Sequence, residues 1–187
     1  FGAIFLATGA HLGIPMGVPG EDMDGVVDAV EFLRNISLGV PQAVGRRVMV
    51  VGGGNCGIDA ARSALRHGAE HVTVLYRRTR TEMPCEEAEA IDAEAEGIDI
   101  KFLTTPIEVI GSDGVVTGLR CVSMRLGEAD DTGRPRPIPI EGSEHDIDAD
   151  LVLSAIRQRP DLGYVTDRAE SPVTPPWRTL AAGPEPS

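Results

Sequence analysis

The stretch Val50-Val51-Gly52-Gly53-Gly54-Asn55-Cys56-Gly57-Ile58-Asp59-Ala60-Ala61-Arg62 decides the fold. It closes an apolar run, Arg46 to Val51, that reads as a strand, and it opens an alanine-rich run with helical spacing. Strand, glycine turn and helix in this order form a dinucleotide-binding unit. Each glycine has its own task. Gly52 makes the tight turn, Gly54 admits a pyrophosphate to the backbone, and Gly57 lets the helix lie close to the sheet. The N–H groups of the first helical turn, among Gly53, Gly54, Asn55 and Cys56, are expected to make an anion site that needs no basic side chain. A ligand-free glycine turn is the plain alternative, and the flanking strand and helix argue against it.

Ile58, Ala61 and Leu65 continue the helix on one face, and Gly68 stands where it should stop. Val72 to Tyr76 reads as a second buried strand, ending at Arg77-Arg78-Thr79-Arg80. An NAD-preferring site carries Asp or Glu about 20 residues beyond the fingerprint, and Arg there accommodates a 2′-phosphate. Arg77 holds that place, with Arg78 and Arg80 beside it. The residues therefore predict NADPH, held by charge-assisted hydrogen bonds. A solvated arginine cluster is the alternative, set against a chain that is otherwise acidic.

The 187 residues carry a net charge of −12, which argues against general nucleic-acid binding. Hydrophobic residues make up 42% of the chain, enough for one good core. Cys56, Cys85 and Cys121 lack Cys-x-x-Cys spacing, and the four histidines are scattered, so the reading includes neither a disulfide framework nor a metal site. Cys56 is read as a small spacer in the loop. No apolar run reaches a membrane span and no signal peptide is read, so a cytoplasmic location is expected.

Outside the fingerprint, Phe1 to Ala7 reads as a buried strand without an initiator Met, as if cut from a larger protein. Val26, Val30 and Leu33 share one face of an expected helix, with Pro41 ending that region. Pro84 suits the first position of a further helix that Gly97 closes, and Ile98 to Leu103 is a third strand. From Ile107 to Asp150 the pattern becomes an antiparallel meander with a turn at Ser112-Asp113-Gly114. Leu151 to Ile156 returns to the sheet. The fold expected is α/β, a Rossmann-type three-layer parallel sheet with an inserted antiparallel β-meander. Its divisions are 1–45, a remnant of an adjoining domain with the crossover helix; 46–161, the NADP-binding domain; and 162–187, a C-terminal segment rich in proline and read as flexible.

Ala7-Thr8-Gly9, Val26 to Arg34, Gly52 to Arg62, Tyr76 to Arg80, Glu82-Met83-Pro84 and Ala155-Ile156-Arg157-Gln158 occur in that order. Together they resemble the glutamate synthase small-subunit type, within the FAD/NAD(P)-dependent pyridine nucleotide oxidoreductases. The resemblance runs from Phe1 to about Asp161. It implies a flavoprotein oxidoreductase in which this half binds NADPH and passes hydride to FAD held by a domain of the same polypeptide or complex. Electrons would continue to an iron–sulfur partner or large subunit. It implies that Gly9 approaches the FAD and that Ala155, Ile156 and Arg157 lie by the nicotinamide. Arg157 departs from the family, which usually has Gly there, and Pro184 stands where an Asp would close the last FAD motif. No catalytic acid, base or nucleophile is assigned, and the chain by itself is expected to be silent. Alternatives are a stand-alone dinucleotide-binding redox sensor, or the equivalent domain of an electron-bifurcating transhydrogenase or dihydropyrimidine dehydrogenase.

Overall fold

Runs of β-branched residues become strands where both of their faces find cover. In the computed structural model, which describes residues 9–130 and 133–161, the chain begins with β1 (Leu12–Gly13), β2 (Val26–Asp28) and α1 (Ala29–Ser37). The fingerprint region gives β3 (Arg47–Val51), α2 (Asn55–Arg66) and β4 (His71–Tyr76). A 3₁₀ turn at Arg80–Glu82 leads to α3 (Glu87–Ala95) and β5 (Asp99–Phe102). Then come β6 (Thr104–Ser112), β7 (Val115–Ala129), β8 (Pro135–Pro139) and β9 (His145–Asp148), before β10 (Leu151–Ser154) and β11 (Gln158–Arg159).

Residues 15–156 form one unit; residues 9–14 and 157–161 belong to a second, in which β1 and β11 pair antiparallel. The larger unit holds a parallel sheet in the order β2-β10-β3-β4-β5. Val26–Asp28 pairs with Val152–Ser154, which joins the segment before residue 45 to the parallel sheet. Val26 accordingly lies in a strand, not on the expected helix face. The helix starts at Ala29, where the Asp28 carboxylate accepts from Val30 N and Glu31 N and caps it. The strand read at Phe1–Ala7, the segment 162–187 and the Ala7-Thr8 portion of the Gly9 motif lie outside the described residues.

Period-2 alternation shows why the central strands are apolar throughout. Val48, Val50, Val72, Val74, Leu151 and Leu153 face α1, α2 and α3 in one core. Met49, Val51, Leu75 and Val152 face the opposite way, onto Val109, Val116, Leu119 and Cys121 of the meander. The meander is thus the third layer of the fold, covering the sheet face that the helices leave. It is built from β6-β7-β8, with β9 pairing Gly118–Cys121 of β7 on the edge opposite β6. Its first turn is the one read from sequence: Asp113 (φ 54°) and Gly114 (φ 81°) supply the two left-handed residues of a tight hairpin.

Candidate dinucleotide site

The site forms where β3 gives way to α2, at the carboxyl ends of β3, β4 and β10. Gly52 leaves the strand at φ 128°, and a Cβ there would run into the Ala155 carbonyl. A Cβ on Gly57 would strike the Gly52 carbonyl, so strand, turn and helix are closed at contact distance. Gly54 differs. It caps α2 in an extended conformation without a side-chain cap, and a Cβ there would find only Pro84 Cγ, at 3.9 Å. Two glycines therefore hold the turn together while the third leaves room over the helix N-terminus. That room at the helix N-terminus fits a pyrophosphate.

Gly53 also needs its small size, a requirement the spacing pattern does not express. A Cβ on it would lie 2.8 Å from the Tyr76 ring and 3.1 Å from Met83 Cε. Met83 and Pro84 therefore border the loop, and Pro84 does not begin α3. The chain runs on extended to Glu86, whose N–H donates to Asn55 Oδ1 at 3.1 Å, and helix starts at Glu87. Asn55 is thus spent tying α3 to the loop. Cys56 is half-buried and packs against the helical core.

The three arginines after β4 part company. Arg77 is exposed at the strand end. Arg78 is only 6% exposed, and its guanidinium is engaged: Nε donates to Pro135 O at 2.8 Å and Nη2 to Asp130 Oδ2 at 3.1 Å. Arg80 pairs with Glu94 and lies over the Phe102 ring, 5.4 Å from its centroid. Between them Thr79 and Glu82 form a capping box, with Thr79 N and Oγ1 both donating to Glu82 Oε2, at 3.1 and 2.6 Å. The hydroxyl's hydrogen bond is the main cause holding the Glu82 carboxyl below its ordinary pKa.

Ala155 is buried beside the glycine turn, its N–H donating to Val51 O at 2.9 Å, and Ile156 is exposed. Arg157 belongs to the smaller unit, where its carbonyl accepts from Ile14 N at 2.9 Å. Gly9, with φ 71°, lies in the same unit. Two residues that local spacing could not single out join the site's periphery. Arg134 Nη2 donates to Tyr76 Oη at 3.1 Å and to the Glu82 carbonyl, and Asp130 holds Arg78. Of the other thiols, burial pushes Cys121 up to about 12 and raises Cys85, which leaves both as packing groups at neutral pH. Among the described residues, no helix is long and apolar enough to cross a membrane.

Known proteins resemble this chain. The beta subunit of the NADP(+)-dependent formate dehydrogenase of Moorella thermoacetica is 46% identical over 173 residues, 91% of this chain and 24% of that protein. The beta subunit of the NADPH-Fe(3+) oxidoreductase of Geobacter sulfurreducens is 45% identical over 184 residues, 96% of this chain and 27% of that protein. The NADPH glutamate synthase small chain of Azospirillum brasilense is 39% identical over 191 residues, 95% and 39% of the two chains. The chain thus spans between 24% and 39% of the length of these relatives. Among solved structures, FprA of Mycobacterium tuberculosis in complex with NADPH superposes with a TM-score of 0.67 at 21% identity, over 82% of this chain and 49% of that one. Thioredoxin reductase of T. acidophilum gives 0.59 at 22% identity, over 83% and 44%. Those two likenesses speak to the fold alone. The sequence pattern of the family itself matches residues 1–173, and with it the chain belongs to the pyridine nucleotide-disulphide oxidoreductases.

Proposed function

We propose that this chain carries the NADPH-binding part of a flavin-dependent oxidoreductase of the glutamate synthase small-subunit type. The observation that carries the reading is the open space over Gly54 at the N-terminus of α2, with Arg77 exposed at the end of the next strand. The loop amides would receive the pyrophosphate. Arg77 would meet the 2′-phosphate with a guanidinium, which suits a dianionic oxygen cluster better than an ammonium does. Arg78 and Arg80 would flank that contact, each held by a carboxylate of the protein. Ala155 and Ile156 would border the nicotinamide end. NADPH itself supplies the hydride; the protein's share is binding, orientation and electrostatics.

The names of three relatives support the reading, since each includes NADP(+) or NADPH. Those names differ in what lies beyond the nucleotide: formate dehydrogenase, Fe(3+) oxidoreductase and glutamate synthase. What the three names share is NADP(H), so we assign this chain the site for that nucleotide, from which hydride would pass to a flavin held by another domain. A partner with iron–sulfur clusters would carry the electrons onward. Calorimetric titration tests the assignment. NADPH is expected to bind at least about tenfold tighter than NADH, a difference of about 1.4 kcal/mol. Equal affinities would overturn it.

A further inference from the structure

Arg77 is exposed, but the residues on either side of it are fastened from a distance. The β7–β8 hairpin reaches Arg78 through Asp130 Oδ2 and the Pro135 carbonyl, at 3.1 and 2.8 Å. It reaches Tyr76 through Arg134, which donates to the Tyr76 hydroxyl at 3.1 Å, and that hydroxyl donates to Glu82 O at 2.5 Å. The hairpin end is itself closed: Asp130 N donates to Arg134 O and Gly133 N to Asp130 O, both at 2.8 Å. Tyr76 in turn packs against Gly53 of the phosphate loop.

A buried ion pair such as Arg78–Asp130 adds little net stability, because desolvation offsets the attraction. What it does supply is a fixed geometry. A guanidinium that must meet a phosphate binds better when its backbone is already held, since less entropy is lost on binding.

We infer that Asp130 and Arg134 are positioning residues for 2′-phosphate recognition. By pinning Arg78 and Tyr76 they hold the intervening Arg77 in place, so the hairpin sets the choice between NADPH and NADH. This rests on the NADPH reading above. Asp130 brings a negative charge near a site for an anion, but Arg78 neutralises it at 3.1 Å, which leaves its effect on geometry dominant.

The test is calorimetry of the full chain with NADPH and NADH, on the parent, Asp130→Asn, Arg134→Met, Arg134→Lys and Arg77→Ala. Asp130→Asn and Arg134→Met are each expected to weaken NADPH about tenfold while NADH stays within about twofold. Arg134→Lys, which keeps a donor toward Tyr76 Oη, recovers most of that loss. Equal affinities in the parent would overturn the NADPH reading itself. A parent that prefers NADPH, loses the preference in Arg77→Ala and keeps it in Asp130→Asn and Arg134→Met would overturn only the positioning role. Equal weakening of both nucleotides, or tighter NADPH binding by Asp130→Asn, would overturn it too. Asp130→Asn preserves side-chain shape and keeps the question answerable should Arg134→Met fail to fold.

Discussion

Gly54 and Gly57 lie three residues apart, and the same substitution should have different consequences at the two. Gly54 is extended (φ −89°, ψ 173°), a conformation valine adopts readily, and its missing Cβ faces open space. Gly54→Val is therefore expected to abolish binding of both NADPH and NADH while costing about 1 kcal/mol at the helix cap. Circular dichroism melts should show a shift of only a few degrees. At Gly57 a Cβ meets the Gly52 carbonyl, so Gly57→Val is expected to destabilise the fold itself. Arg77→Ala belongs to a third class, expected to weaken NADPH about tenfold and leave NADH nearly unchanged. The glycine tasks were legible because they arise from backbone geometry between near neighbours in the chain. Burial of Arg78 was not, because its partner Asp130 lies 52 residues onward, and Arg134 is 58 residues from Tyr76. Local spacing cannot see such pairs.

Among elements, periodicity and end signals located α2 well, and Gly68 (φ 104°) and Gly97 (φ 100°) stand just past the ends of α2 and α3 as read. Pro84 misled, since a proline that suits a helix start suits an extended segment equally, and packing beside the phosphate loop chose the latter. Val26 misled similarly: pairing with β10 outweighed helical spacing. Asp28 then caps α1, and Asp28→Ala is expected to cost about 1 kcal/mol, visible as a melting shift of about 2–4 °C. Asp150 ties the start of β3 to the start of β10. Its carboxylate accepts from Arg46 N and Arg47 N at 2.8 and 2.9 Å and pairs with the Arg47 guanidinium at 2.8 Å. The Arg47 side chain is the main cause that lowers Asp150 from 3.8 to about 2. A lowered carboxylate stabilises the fold fully above its unfolded pKa and loses that contribution as pH falls through the folded value. Asp150→Asn should thus melt below the parent at neutral pH, and the gap should close as pH falls from 3.8 toward about 2.

For the whole molecule, nucleotide selectivity should appear as stability. A ligand that binds only the folded state adds free energy by mass action, about 2.7 kcal/mol at one hundred times its dissociation constant. If NADH binds tenfold more weakly, the same concentration of NADH stands at only ten times its constant and adds about 1.4 kcal/mol. For a chain of this size 1 kcal/mol corresponds to about 2–4 °C, so NADPH should raise the melting temperature by about 5–10 °C and NADH by roughly half as much. On the proposed reading the gap would arise from charge on the 2′-phosphate near Arg77 at the surface, and such interactions are screened once the Debye length falls to about 3 Å near 1 M salt. The pyrophosphate contacts are common to both nucleotides and leave the comparison unaffected. Raising salt should therefore draw the two melting curves together, mainly through loss of the NADPH advantage. A salt-independent gap, or identical shifts at low salt, would show that the arginines after β4 do not read the nucleotide.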